Sequence, residues 1–292
     1  MSANLNPSER VETTLERWSQ RFDAELDRRL QPDSGQGVPP SLVEAMRYTT
    51  LAPGKRLRPY LTCTCCRLVG GQEQDAISAA AALECVHAFS LIHDDLPSMD
   101  DDAMRRGQPS NHMRFGEGLA VLAGDALLAR AFELLVSDPT PPRRSRRTVL
   151  ELAQACGWAG MIGGQADDIE AAPHDQDNGI LESIRARKTG RLMEAACRIG
   201  AICGDATTAE VESLGRYGLQ LGIAFQVADD LLDLVPTGAD GHKQTGPGCV
   251  GSVEVRHQAR ESVEQAVSAL DAWGPEADEL RAVARFVIER KS

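Results

Sequence analysis

Two aspartate clusters are the residues of this chain best suited to chemistry. The first contains Asp94, Asp95 and Asp100, and the second contains Asp229 and Asp233. Both stand in otherwise apolar, helix-forming sequence, where an unpaired carboxylate is costly to bury. Such clusters therefore require cations. Mg²⁺ prefers oxygen ligands and usually shares them with substrate phosphates, so the sequence predicts a magnesium site for a phosphorylated substrate.

The second cluster has helical spacing. Gln226, Asp229 and Asp233 recur at intervals of three and four, which places them on one face of a helix whose flanking residues are apolar. A polar stripe on an apolar helix indicates a cavity more often than bulk solvent. A solvated acidic helix face is the alternative interpretation.

The first cluster contains a helix-perturbing residue. Pro97 interrupts the helix after the Asp94-Asp95 pair, and the added residues allow Asp100 to fold back towards Asp94. Arg105 and Arg106 follow, then a glycine. These arginines could balance the carboxylate charge, or they could hold an anion on the far side of the metals.

Lysine is scarce in this chain. The only four are Lys55, Lys188, Lys243 and Lys291, and arginine supplies the other basic residues. The first three lie in glycine-containing polar segments. A compact ammonium group there suits phosphate oxygens, whereas the alternative is a chance surface lysine.

The remaining sequence predicts one all-α domain. The 292 residues are rich in Ala and Leu, with 4% aromatics. Breaker-rich segments at 31–40, 137–147, 171–179 and 236–252 separate stretches of helical periodicity, and no strand-type alternation of useful length occurs. We expect a single large helical bundle over residues 1–292, with residues 1–40 forming an N-terminal helix and linker. The site would lie in the bundle core between facing helices.

Charge and composition limit the partners. A net charge of −12 argues against nucleic acid as the main partner. The polar N-terminus has no signal-peptide pattern, and no apolar stretch is expected to span a bilayer. The eight cysteines show no zinc-ligand spacing, and Cys63, Cys65 and Cys66, in an apolar helical stretch, are interpreted as reduced, buried side chains. The cytoplasm is the expected location.

Together these motifs resemble the trans-polyprenyl diphosphate synthase family, especially bacterial short-chain members similar to farnesyl diphosphate synthase. The two aspartate motifs read Asp94-Asp95-x4-Asp100 and Asp229-Asp230-x2-Asp233. The resemblance runs from about residue 40 to the C-terminus and includes Gly54-Lys55-Arg56-Leu57-Arg58-Pro59, Glu84-Cys85-Val86-His87, Leu122-Ala123-Gly124-Asp125-Ala126, Gly163-Gly164-Gln165-Ala166-Asp167-Asp168, Lys188-Thr189-Gly190 and Phe225-Gln226.

The resemblance implies an isoprenoid-synthase-type bundle and specific residue roles. About three Mg²⁺ ions would be held by carboxylates of the aspartate motifs and their supporting acid, namely Asp94, Asp95, Asp100, Asp168, Asp229 and Asp233. The allylic diphosphate would contact Arg105, Lys188 and Lys243. Isopentenyl diphosphate would contact Lys55, Arg58, His87 and Arg106. Lys188, Thr189 and Gln226 would line the reacting carbons and stabilise the allylic cation.

The implied reaction is head-to-tail condensation of isopentenyl diphosphate with an allylic diphosphate, with loss of diphosphate. Phe89, five residues before Asp94, resembles the cavity floor of farnesyl-type synthases, and Ser90 leaves room beside it. We therefore expect farnesyl diphosphate as product, with geranyl or geranylgeranyl diphosphate as alternatives. The resemblance also suggests a homodimer.

Two features of the sequence depart from the family pattern. The segment after Lys243 lacks the family's acid and second lysine, and Pro53 precedes Gly54 where a second glycine is usual. A class I terpene cyclase would share the helical fold but would have no reason to keep Lys55, Arg58 and His87. A non-catalytic partner subunit typically loses the aspartate motifs, and both are intact here.

Overall fold

The computed structural model describes residues 6–137, 141–170, 183–184, 186–233 and 252–289, with the side chains of 230–233 and 252–255 left out. The protein is all-α, as predicted. Its helices are α1 Pro7–Arg29, α2 Pro40–Thr50, α3 Leu57–Leu68, α4 Glu73–Asp94, α5 Asn111–Phe115, α6 Glu117–Ser137, α7 Pro142–Cys156, α8 Met161–Glu170, α9 Arg191–Cys203, α10 Thr208–Asp233, α11 Ser252–Ser268 and α12 Asp278–Glu289. A π-helical turn, Ala186–Gly190, precedes α9, and a 3₁₀ turn, Pro275–Ala277, precedes α12.

Helix α4 is the central helix of the bundle. It packs against α3 on one side and α6 on the other. Small side chains from Ala79 to Ala82 are almost fully buried, which lets neighbouring helices approach closely. Because α4 is buried nearly all round, it is apolar on nearly every face.

Helix α4 is as apolar as a membrane-spanning helix. Among the described residues this single helix, with 22 residues and a mean hydropathy of 1.4, is long and apolar enough to cross a bilayer. However, 78% of its most apolar window is buried inside the protein. Burial in a helical core imposes the same composition as a membrane, so α4 is explained as a core helix.

The N-terminal segment belongs to the same core. Leu15, Trp18 and Phe22 of α1 are buried in the hydrophobic cluster that also contains α4 and α12 residues. Trp18 stacks on Phe22 and meets the ring of Tyr60 edge to face. The single-domain organisation stays a prediction that this shared core supports.

A short β-hairpin follows the first aspartate cluster. Met104–Arg105 pairs antiparallel with Gln108–Pro109. Its two turn residues, Arg106 and Gly107, have φ values of 52° and 76°. A two-residue turn with both φ values positive matches the twist of paired strands, which explains the glycine after the arginine pair. The sequence did not indicate these strands because each has only two residues.

Glycines allow the closest helix contacts. A Cβ placed on Gly200 of α9 would lie 2.1 Å from the carbonyl oxygen of Thr62 in α3. Gly218 of α10 approaches the carbonyl of Met193 in α9 in the same way, at 2.5 Å. Backbone atoms cannot move aside as a flexible side chain can, so these positions require glycine.

We predict that Gly200→Ala lowers the free energy of unfolding by about 1–3 kcal/mol, because overpacking outweighs the gain in helix propensity. Gly118→Ala is the matched control, since a Cβ at Gly118 of α6 meets nothing within 4 Å. That control should raise the free energy by up to about 1 kcal/mol. Urea denaturation followed by circular dichroism measures both, and equal effects would contradict the packing argument.

Candidate active site

A cavity of about 1000 Å³ lies in the bundle core. It is enclosed by α3, α4, α8, α10, the hairpin and the π-helical turn, and residues of α1 and α12 close one end. Twelve of the residues singled out from the sequence line it: Lys55, Arg58, His87, Phe89, Ser90, Asp94, Arg105, Arg106, Lys188, Thr189, Gln226 and Asp229. Segments far apart in the chain thus meet at one cavity, as the resemblance implied.

The first aspartate motif folds back at the end of α4. The backbone N–H of Asp100 donates to the carbonyl oxygen of Asp94 at 2.9 Å, and the N–H of Met99 donates to the carbonyl of Leu96 at 2.9 Å. The fold-back proposed from Pro97 is therefore present. Asp94 lines the cavity, whereas Asp100 is exposed and is not part of the lining.

Asp94 is poised to receive a cation. Burial raises the pKa of its carboxyl group to about 6, and the Asp100 carboxylate adds to the increase, although Lys188 opposes it. Burial and the neighbouring carboxylate therefore oppose the negative form of Asp94. A cation beside it would stabilise that form.

Asp95 occupies a different position from Asp94. Its side chain is buried and accepts a hydrogen bond from Arg105 Nε at 2.9 Å, and the Nη2 group of Arg105 contacts the same oxygen. Arg105 also pairs with Asp102 at 3.3 Å. Asp95 thus fixes the hairpin to the end of α4, and its role as a metal ligand stays a prediction.

An ion pair missed from the sequence holds the base of the cavity. Arg56 is buried and begins α3 with a φ of 48°. It donates to Glu84 at 2.6 Å, to Asp23 at 2.7 Å and to the Ala52 carbonyl at 2.8 Å. Arg56 and Glu84 both lie within the motifs quoted for the resemblance, so their presence there was the available signal.

Cationic groups are concentrated at the end of the cavity beside this pair. Burial lowers the pKa of Arg58 to about 10, so the guanidinium stays charged at neutral pH. Within the described part of the chain, the buried Nε of Arg58 has no hydrogen-bond partner. An unpartnered charged donor inside a cavity is expensive, and an anionic ligand would satisfy it.

His87 and Arg106 lie at the same end. Burial, with Arg58 and Arg106 close by, holds the pKa of His87 well below its usual range, so the imidazole is neutral. Nη2 of Arg106 lies 3.5 Å from His87 Nε2, and Nη1 of Arg106 donates to the Pro53 carbonyl at 3.2 Å. Arg106 thus lines the cavity beside His87.

Lys55 is placed by the two terminal helices. Its Nζ lies 3.9 Å from Glu12 Oε1 of α1 and 5.6 Å from the centre of the Phe286 ring of α12. Leu15, Phe286 and Val287 line the cavity at the same end. No motif marked these terminal residues, since their positions are set by packing rather than by sequence pattern.

The opposite wall is built by α8, the π-helical turn and α10. Lys188 Nζ donates to Asp168 at 2.8 Å, and Thr189 Oγ1 donates to Gln226 Oε1 at 3.0 Å. A Cβ on Gly164 would lie 2.8 Å from the Lys188 backbone nitrogen, so the Gly-Gly-Gln motif permits this close approach. π-helical turns occur frequently at functional sites.

Five predicted ligands are not part of the described cavity lining: Asp95, Asp100, Asp168, Asp233 and Lys243. Asp168 pairs with Lys188 and has a half-exposed side chain outside that lining. The Asp233 side chain and the whole of Lys243 lie outside the described residues. Their roles stay predictions.

The donor chemistry fits Mg²⁺ shared with an anionic substrate. No group of three or more metal-ligating side chains occurs among the described residues. Asp94 and Asp229 nevertheless line the same cavity, beside cationic groups suited to phosphate. Mg²⁺ is usually bound through one or two carboxylates plus substrate phosphates rather than by an all-protein cage.

Comparison with known proteins decides the family. A profile described as polyprenyl synthetase matches residues 39–247. The chain belongs to the polyprenyl synthetase family. Its homologues in this family are prenyltransferases, and magnesium use is typical of the family. The match ends within the segment where the sequence departs from the usual pattern after Lys243.

This polyprenyl synthetase family member is similar to farnesyl and geranylgeranyl diphosphate synthases. It is 40% identical to farnesyl diphosphate synthase of Escherichia coli K12, over 94% of this chain and 97% of that protein. It is 48% identical to geranylgeranyl pyrophosphate synthase 12 of Arabidopsis thaliana, over 72% of this chain. The aligned region spans 61% of that Arabidopsis protein.

Solved structures agree on the fold. An FPP/GFPP synthase from Zymomonas mobilis superposes with a TM-score of 0.85 at 37% identity, covering 96% of this chain and 99% of that one. A geranyltransferase from Legionella pneumophila gives a TM-score of 0.85 at 29% identity, covering 98% and 99%. The isoprenoid-synthase-type bundle expected from the sequence is confirmed.

We predict that Arg58→Leu weakens binding of inorganic diphosphate about 10- to 100-fold, because a charge-assisted donor inside the cavity is lost. Isothermal titration calorimetry in the presence of Mg²⁺ measures the change. Arg146→Leu, at an exposed position on α7, is the matched control and should bind as the wild type does. Unchanged affinity in Arg58→Leu would contradict an anion site at this end of the cavity.

Proposed function

We propose that this protein is a Mg²⁺-dependent prenyltransferase that condenses isopentenyl diphosphate with five- and ten-carbon allylic diphosphates to give farnesyl diphosphate, releasing diphosphate. The observation that carries the proposal is a single cavity lined by carboxylates of both aspartate motifs and by separate cationic groups. The cationic groups around Arg58 favour binding of a second diphosphate. A terpene cyclase does not need such a second site. Both aspartate motifs favour catalysis over a non-catalytic subunit role.

The metal site would be formed by the aspartates. Asp94, Asp100 and Asp229 would hold Mg²⁺, supported by Asp95, Asp168 and Asp233. When bound, Mg²⁺ supplies charge neutralisation of the departing diphosphate. About three ions per site would match the family pattern, with substrate oxygens completing their coordination.

The cationic side chains would orient the two substrates. Arg105 of the hairpin and Lys188 of the π-helical turn would bind the allylic diphosphate, together with Lys243, which lies outside the described residues. Lys55, Arg58, His87 and Arg106 would bind isopentenyl diphosphate at the base. Holding both substrates in one cavity converts a bimolecular encounter into an oriented reaction.

The reacting carbons would lie between these two groups. The Thr189 hydroxyl donates its proton to Gln226 Oε1, so the oxygen lone pairs of Thr189 remain to face positive charge. Together with the Lys188 carbonyl, these oxygens would stabilise the allylic cation as the C–O bond breaks. The double bond of isopentenyl diphosphate then attacks, and the departing diphosphate accepts the released proton.

Elongation assays test this function. Incubation with Mg²⁺, isopentenyl diphosphate and each allylic primer should yield longer prenyl diphosphates.

Asp94→Asn and Asp229→Asn should each lower the rate at least about a hundredfold, because charge stabilisation by the metal is lost. Asp271→Asn, at an exposed position, should retain full activity. No elongation with any primer refutes the function, and elongation surviving both cavity substitutions refutes the site.

Product length would be set by the volume below the metal site. Phe89 is buried and lines the cavity about 7 Å along α4 from Asp94, at about 1.5 Å per residue. Ser90 beside it donates to the His87 carbonyl and adds little bulk. An aromatic ring at this depth supports a fifteen-carbon product over the geranylgeranyl diphosphate named for the Arabidopsis relatives.

Phe89→Ala should therefore shift the product towards chains longer than farnesyl, because removing the ring extends the cavity. Chromatographic sizing of the dephosphorylated products measures the shift. Phe115→Ala removes an aromatic ring that packs against Tyr48 and should leave product length unchanged. If Phe89→Ala makes only the wild-type product, the floor lies elsewhere.

Helix α6 supports assembly into a homodimer. Val121, Leu122 and Val136 are 39%, 56% and 57% exposed, and exposed apolar side chains of this kind are often covered by protein interfaces. Leu122→Asp should convert the dimer to a monomer in sedimentation velocity, because a charge would be buried in the interface. A monomeric wild type at micromolar concentration would contradict the proposal.

The cysteines support a reducing compartment. The seven described cysteines are free and buried, and burial raises the pKa of Cys156 to about 11 and of Cys85 to about 12. Free thiols of this number are typical of proteins kept in reducing surroundings. We therefore place the protein in the cytoplasm.

A further inference from the structure

We propose that His93 is a positioning residue that sets product length by holding the ring of Phe89 in the cavity floor, and that Gly124 on α6 provides the space that His93 requires. The inference rests on the proposed prenyl transfer. It assigns a specificity role to two residues that touch neither diphosphate in the proposed arrangement.

The contact between His93 and Phe89 is direct. The two residues are four apart on α4 and therefore lie on the same helical face. Their ring centres are 5.2 Å apart with an interplanar angle of 89°, an edge-to-face arrangement. Both line the cavity. If the His93 ring moves away, the Phe89 ring loses its packing contact on that side.

Helix α6 holds His93 from the other side. His93 Nε2 lies 3.1 Å from the carbonyl oxygen of Val121, which can only accept a hydrogen bond, so Nε2 carries the proton. The Asp125 carboxylate lies 4.0 Å from the same nitrogen. The imidazole is thus tied to the backbone of α6 rather than to a mobile side chain.

Gly124 makes this arrangement possible. A Cβ at Gly124 would lie 2.2 Å from His93 Nε2 and 2.5 Å from Cδ2. Even an alanine methyl would overlap the imidazole and displace it from its contact with the Phe89 ring. The glycine of the Leu-Ala-Gly-Asp segment on α6 is therefore coupled by contact to the histidine before the first aspartate pair.

The consequence concerns the rotamer of Phe89. Side chains occupy a few staggered rotamers, and a buried ring keeps one of them because its neighbours exclude the others. With His93 in place, the Phe89 ring stays across the cavity. Without it, the ring can swing into the vacated volume, and a longer prenyl chain can pass.

Product sizing tests the proposal. His93→Ala should raise the ratio of longer to wild-type product roughly two- to tenfold, the range that corresponds to one edge-to-face aromatic contact. Gly124→Ala should shift the ratio in the same direction from a different helix. Gly118→Ala, also on α6 but facing open space, is the matched control and should leave product length unchanged.

A double substitution separates contact from general damage. In His93→Ala combined with Gly124→Ala, the added methyl group no longer meets a ring, so the product ratio should equal that of His93→Ala alone. The Mg²⁺ dependence of the rate should match the wild type in every variant, which shows that the adjacent Asp94 is intact. Thermal melts establish that each variant is folded.

Three outcomes would overturn the proposal. The first is a wild-type product distribution in His93→Ala and Gly124→Ala while Phe89→Ala makes longer chains. The second is additive effects in the double variant. The third is a shift seen only together with an altered Mg²⁺ dependence. Failure of the wild type to elongate any primer instead refutes the proposed function itself, and the two failures are thereby distinguished.

Discussion

The buried ion pair between Arg56 and Glu84 is the interaction on which the cavity depends. Glu84 lies three residues before His87 on α4, and Arg56 begins α3 in a left-handed conformation. Their contact sets the junction of α3 and α4, and Asp23 adds α1 to the same pair. Breaking a buried pair leaves an uncompensated charge, so arrangements of the junction that separate Arg56 from Glu84 are costly. Lys55 immediately precedes Arg56 and Arg58 follows it by two residues, so the ion pair lies beside both cations.

Two groups of opposite charge in the cavity are poorly stabilised by the protein. At one end, the buried Arg58 Nε lacks a hydrogen-bond partner among the described residues. At the other, the raised pKa of Asp94 shows that burial and a neighbouring carboxylate oppose its negative charge. A cation and an anion bound together would relieve both conditions, which neither could do alone. The ligands of the proposed reaction would therefore stabilise both charged groups of the site.

Small residues set the distances at which these charges meet. Gly164 brings α8 against Lys188, Gly124 brings α6 against His93, and Gly222 packs against Gly190 of the π-helical turn. In each place a methyl group would collide with backbone or with a ring at less than 3 Å. Each glycine lies beside a residue of the site. Glycine lowers helix stability relative to alanine, but at these positions it permits the close approach that the site requires.

The sequence by itself determined the fold class, the aspartate spacing, the fold-back after Pro97 and the scarcity of lysine, because each is a local pattern or a composition. The tertiary structure alone decided that Asp95 binds Arg105, that Arg56 pairs with Glu84, and that residues of α1 and α12 close the cavity. The His93–Gly124 contact belongs to the same group. These contacts join residues separated by ten to more than two hundred positions, and only packing of the helices selects which of many carboxylates, cations and glycines become neighbours.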